Sequence, residues 1–236
     1  MDISPPSGEE LERLISENAH RFPVKYSISV IGDGGASIKL PFLLGLPSGA
    51  CVLPPGGRKS DAWNSIVGSG IGIEDQRPGI DDRVAEDCII WPPRAEWSKW
   101  FARWTGLGGS VGKAIQKAAG FNVSVVVSSG EPPESIRSEL AKRPRAAWRT
   151  IVLGEERIEV VIEPPEYTPW RIFKAALAKQ GADVWALVLD MVLAKATADG
   201  ADIAKTVARW PAVAIHLLGE ISRLGGGGAE AELGGW

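Results

Sequence analysis

Val24-Lys25-Tyr26-Ser27-Ile28-Ser29-Val30 alternates apolar and polar residues without a slip, and Ser37-Ile38-Lys39-Leu40 resumes the alternation after Asp33-Gly34-Gly35. A two-residue period sends alternate side chains to opposite faces of a strand, and the glycine turn folds two such strands into a hairpin. Just upstream the period changes. Ser7 followed by Glu10 makes a capping-box pattern, and Leu11, Leu14 and Ile15 then recur at helical spacing. A helix over 8–20 therefore leads into the hairpin. The same grammar returns later: Trp148 to Leu153, then Gly154, then Arg157 to Ile162 reads as a second hairpin, closed by Pro164-Pro165.

Between and after the hairpins the chain reads as short helices. Residues 94–104 form one helix, broken by Gly106, Gly108 and Gly109, with Ser110 capping a further helix to Ala119. Phe121 to Val127 is almost continuously apolar, which predicts a central strand. A helix near Ser135–Lys142 precedes the second hairpin. Thr168-Pro169 starts a helix that reaches about Gln180, and Asp183 caps another bearing Val184, Leu187, Val188, Met191 and Val192. A short helix then leads to Trp210, and Pro211 opens the last, to Leu224. Residues 43–80 are rich in glycine and proline. A short strand near Ala50–Leu53, a short helix holding Trp63 and Ile66, a loop from Gly68 to Gly79 and a helix over 80–86 are expected there. The fold class is α+β, with two related strand–turn–helix-bundle modules in which β-hairpins pack with short helices. The expected divisions are 1–130, 131–224 and a Gly-rich tail, 225–236.

An internal near-repeat supports the two-module reading. Val52-Leu53-Pro54-Pro55 finds an echo in Val161-Ile162-Glu163-Pro164-Pro165, 110 residues on (164 minus 54). Ala102-Arg103-Trp104 finds one in Ala208-Arg209-Trp210, 106 residues on (208 minus 102). Two offsets this similar point to duplication.

Bulk properties narrow the function classes. The 236 residues carry a net charge of -3, and an acidic balance argues against nucleic acid or an anionic membrane as partner. No apolar run approaches the roughly 18 residues of a membrane span. The N-terminus lacks the basic and apolar regions of a signal peptide, so the cytosol is the expected compartment. Cys51 and Cys88 each border an apolar run and read as buried, reduced thiols. They and the two histidines, His20 and His216, show no metal-ligand spacing, and no metal or cofactor is expected.

Gly106 to Lys113 superficially suggests a phosphate loop. Leu107 stands where the motif needs its first glycine, Ala114 stands where it needs Ser or Thr, and a helix rather than a strand leads in. Gly68-Ser69-Gly70-Ile71-Gly72 lacks the spacing of a dinucleotide loop. The acidic pairs Glu74-Asp75, Asp81-Asp82 and Glu86-Asp87 are sequence neighbours, which do not converge on one site. His216 lies between Ile215 and Leu217 and reads as a buried structural histidine. The chain is therefore not read as an enzyme.

The tryptophans remain. There are ten, and Trp97, Trp100, Phe101 and Trp104 share one face of the 94–104 helix. Indoles are enriched at binding hot spots. Trp97, Trp100, Phe101 and Trp104, with Trp170, Trp210 and Trp236, are the expected protein-binding anchors.

Ile90-Trp91-Pro92-Pro93-Arg94-Ala95-Glu96-Trp97, Phe101-Ala102-Arg103-Trp104 and the small-residue helix at 110–119 resemble the tail assembly chaperones of tailed bacteriophages. The likeness covers about 80–120 and, less closely, 160–222. It implies a non-enzymatic component of tail or baseplate assembly, either a chaperone or a structural virion protein. The implied partners are other tail or baseplate proteins, met in the host cytoplasm or in the virion tail, and no cofactor is implied. Two alternatives stay open: an enzyme with a scattered active site, and a single-stranded nucleic-acid binding module.

Overall fold

The computed structural model describes residues 5–46, 87–120, 123–179, 184–198 and 202–226. They divide into two compact units, whose described parts end at residue 120 and begin at residue 123. The elements expected near 50–53, 63–66 and 80–86, Cys51, and the glycine loop at 68–72 lie outside the described residues.

In the first unit, α1 (Gly8–Glu17) starts where the capping box places it: Ser7 Oγ accepts from the Glu10 backbone N–H at 3.3 Å. A 3-10 turn, Ala19–Arg21, follows, so the helix stops short of residue 20. Strands β1 (Val24–Ile31) and β2 (Ser37–Leu44) pair antiparallel, and β3 (Ile89–Trp91) adds to the far end of β2. Helix α2 (Arg94–Arg103) ends on Trp104, and α3 (Leu107–Ala118) packs against β1. The core gathers Leu40, Phe42, Leu43 and Leu44 of β2 with Trp97, Trp100, Val111 and Ile115.

Ser110 was expected to cap α3. The helix instead begins three residues earlier, because the Leu107 N–H donates to the Trp104 carbonyl at 2.8 Å and restarts the spiral immediately. Gly108 and Gly112 are buried within it, so these glycines serve close packing rather than termination.

The second unit holds a four-stranded antiparallel sheet in the order β4-β5-β6-β7. Its strands are β4 (Ser124–Val127), β5 (Ala147–Leu153), β6 (Glu156–Ile162) and β7 (Ala196–Ala198). Helix α4 (Glu134–Lys142) packs on β5 and β6; α5 (Tyr167–Leu177) packs on α6 (Val184–Lys195). After β7 come α7 (Ile203–Arg209) and α8 (Ala212–Leu224), and α8 packs on α6, β4 and β6. Ile158, Val160 and Ile162 of β6 meet this core, with Val188, Leu189, Val213, Leu217 and Ile221 buried alongside.

Two expectations change here. Of the run 121–127, expected as a central strand of the first module, Ser124–Val127 supplies an edge strand of the second unit's sheet. An apolar run indicates strand, but its place in a sheet depends on pairings made elsewhere in the chain. Strand β7 was not expected at all, since Ala196-Thr197-Ala198 continues an apolar helix without a break signal.

The two units repeat one plan: a helix, a hairpin, a third strand on the end of the second hairpin strand, a short helix ending in Ala-Arg-Trp, then a longer helix. The match reaches individual hydrogen bonds. Gly45 N–H donates to the Cys88 carbonyl as Glu163 N–H donates to the Lys195 carbonyl, each at 2.9 Å. Trp104 N–H donates to Trp100 O as Trp210 N–H donates to Thr206 O, each at 2.8 Å. Arg103 and Arg209 each lie 4.9 Å from the ring centroid of the tryptophan that follows. The ends of the hairpins, Leu44 and Ile162, correspond at an offset of 118 (162 minus 44), and Pro54-Pro55 of the first Pro pair lie outside the described residues.

Candidate functional site

The helical phase of α2 turns its aromatic stripe inward. Trp100 is 1% exposed and Trp97 is 6% exposed. Phe42 meets the Trp100 ring edge-on at 5.5 Å, and Trp97 tilts against Phe101 at 4.8 Å. These two indoles are core side chains, which corrects their expected role as surface anchors: Phe42 of β2 packs on Trp100, and Phe101 of the same helix packs on Trp97.

The remaining anchors fall at intermediate depth. Phe101 and Trp104 are half-buried, and the Trp104 indole N–H donates to the Ile31 carbonyl at the end of β1, at 2.9 Å. Trp210 is half-buried under Arg209. Trp170 is half-buried, stacked on Phe173 at 5.2 Å, with Lys174 Nζ 5.8 Å from its centroid. Trp236 lies outside the described residues. Trp97, Trp100, Phe101 and Trp104 belong to the first unit, and Trp170 and Trp210 to the second.

The apolar groups that do face solvent are others. On α5, Tyr167 is 77% exposed and Ile172 is 62% exposed. On β4, Val127 is 70% exposed and Val126 is 40% exposed. The sequence carried a signal for Ile172: Trp170, Phe173 and Leu177 define the inward face, and Ile172 is out of phase with it. Arg171 and Lys174 are exposed beside Tyr167, and 167–177 contains no acidic residue. This helix therefore offers an apolar and basic surface.

Polar side chains form two clusters in the second unit. Glu159 accepts hydrogen bonds from Trp148 Nε1, from Thr150 Oγ1 at 3.0 Å and from Ser128 Oγ at 3.3 Å. All three bonds converge on Oε2, and the cluster fastens β5 to β6 and to the loop after β4. On the opposite sheet face, Arg149 Nε meets the buried Glu220 of α8 at 2.9 Å, and Arg223 reaches the other carboxylate oxygen at 2.6 Å. Two cations thus satisfy one buried anion.

A cleft of about 310 Å³ lies beside α4, lined by Ser135, Ile136, Ser138, Glu139, Val161 and Thr197. A hydrogen bond from Lys142 and its positive charge hold the Glu139 carboxyl below its ordinary pKa; partial desolvation opposes this, and Arg143 adds to the lowering. The carboxylate is an ion-pair partner of Lys142 at 2.8 Å and Arg143 at 3.2 Å. His216 is half-buried in α8, and Cys88 is buried. Among the described residues no three His, Cys, Asp or Glu side chains group as metal ligands, and no helix is long and apolar enough to cross a membrane.

Comparison with protein-family models, curated proteins and solved structures finds no match to this chain.

Proposed function

We propose that the chain is a non-enzymatic, protein-binding component of bacteriophage tail or baseplate assembly, acting as an assembly chaperone or as a structural part of the virion. The observation that carries the binding role is the solvent-facing apolar surface of α5, where Tyr167 and Ile172 stand out beside half-buried Trp170. Large side chains held outside the core on a regular helix are the anchors a partner's pocket needs. The tail or baseplate setting rests on the likeness of residues 90–119 to tail assembly chaperones, and the partners are other tail or baseplate proteins.

The test is particle assembly with Tyr167→Ala and Ile172→Ala combined, alongside mass spectrometry of purified particles. Assembly should fall, because truncating true anchors costs about 2–4 kcal/mol of binding each. Detection of the chain in finished particles would assign it to the virion, and its absence from them to the chaperone class. Normal assembly with the double variant would overturn the role of α5.

A further inference from the structure

The first helices of the two units differ in what they bury. In the second unit, α4 seats Ile136 in the core. In the first unit, α1 has no fully buried residue. Leu11, Leu14 and Ile15 form a half-exposed stripe, and Glu10 and Glu12 flank it on opposite sides. All four glutamates of α1 (Glu9, Glu10, Glu12 and Glu17) are exposed; Arg13, the helix's one cation, is spent on Glu17 at 2.7 Å. Helix α5 has the opposite character: Tyr167 and Ile172 exposed, Arg171 and Lys174 exposed, and no acidic residue.

We infer that α5 of one molecule docks the acidic, half-buried face of α1 of a second copy of this chain. Charge complementarity selects this occupant. Glu10 and Glu12 lie on either side of the α1 stripe, and Arg171 and Lys174 follow Tyr167 at i+4 and i+7 on one face of α5, so apolar contact and opposite charges can be made together. A patch that meets a different patch on its partner is heterologous. Repeated head to tail, such contacts build rings or filaments, which suits a component of a repeating assembly; made reciprocally, they close a two-fold pair. This inference deepens the binding reading of α5 by naming its partner.

Sedimentation velocity of the full chain tests it. Self-association should rise with protein concentration and weaken when salt is raised from about 50 mM to about 500 mM, because the Debye length falls severalfold. Glu10→Lys with Glu12→Lys should weaken association by about tenfold or more, and so should Arg171→Glu with Lys174→Glu. All four substitutions in one chain should restore it, since the charges then oppose each other in reverse. The restored chain also controls for misfolding of the partial variants, and circular dichroism checks each one.

A wild-type chain that stays monomeric throughout, or a fourfold variant that stays as weak as the partial ones, overturns the inference. So does α5-dependent retention on anionic vesicles or single-stranded DNA in place of self-association. If self-association is absent while Tyr167→Ala with Ile172→Ala still blocks particle assembly, the second-copy docking fails and the proposed function stands.

Discussion

At Trp100 the indole is 1% exposed and packed edge-on against Phe42 of its own unit, so its contribution belongs to folding rather than binding. Trp100→Ala should cost about 3–5 kcal/mol of stability, read as a lowered urea midpoint for the first unit. Trp104→Phe keeps an aromatic side chain but removes the pyrrole ring whose N–H donates to the Ile31 carbonyl; the lost hydrogen bond alone is worth about 0.5–1.5 kcal/mol in the same measurement. Glu220 presents the converse problem. It is 5% exposed and bridges Arg149 and Arg223. Glu220→Ala strands the largely buried Arg149 guanidinium and should destabilise the second unit by about 3–5 kcal/mol in equilibrium unfolding. Glu139 gives a smaller, pH-dependent signal. Its carboxyl is held low in the folded chain by Lys142, so its stabilising effect is present above the ordinary carboxylate pKa and is lost as pH falls through the depressed value. NMR titration of the side-chain carboxyl should show that lowered midpoint, and Lys142→Ala should raise it.

Among the elements, β4 exposes valines on a sheet edge without a charge in the strand. Such an edge is a template for unwanted pairing. Val127→Lys should leave stability within about 0.5 kcal/mol and should raise the temperature at which light scattering reports aggregation. The same strand shows where sequence reading reached its limit. Local chemistry marks elements well: Ser7 caps α1, Gly154 turns the second hairpin at a positive φ of 68°, and the period-two runs become β1 and β2. Placement of an element needs non-local pairing, which no local pattern carries. Hence the apolar run at 121–127 is legible as a strand but not as an edge. The indoles fail in the same way: the spacing of Trp97 and Trp100 specifies one helix face, but what covers that face is decided by β2, more than fifty residues upstream. The exposed Tyr167 and Ile172 were legible only as departures from the inward phase of α5.

Over the whole molecule the repeated plan makes a quantitative claim. With the Ala-Arg-Trp corners aligned, Leu107, Val111 and Ile115 of α3 correspond to Val213, Leu217 and Ile221 of α8 at an offset of 106 (213 minus 107), and all six are buried. Trp100 and Thr206 likewise correspond and are both buried, although one is the largest side chain and the other is small and polar. The repeat thus keeps element order and main-chain bonds while the side chains filling each core diverge, as expected when total volume matters more than any single residue. Equivalent depth predicts equivalent cost. Ile115→Val and Ile221→Val each remove one methylene from a fully enclosed site, and each should cost about 0.5–1.5 kcal/mol. Native-state hydrogen exchange reads the two losses separately, because Ile115→Val should lower protection in α3 and β1, and Ile221→Val in α8 and β6. A cost well outside that range at one position alone would show that the two helices, though drawn on one plan, do not hold equivalent places in their cores.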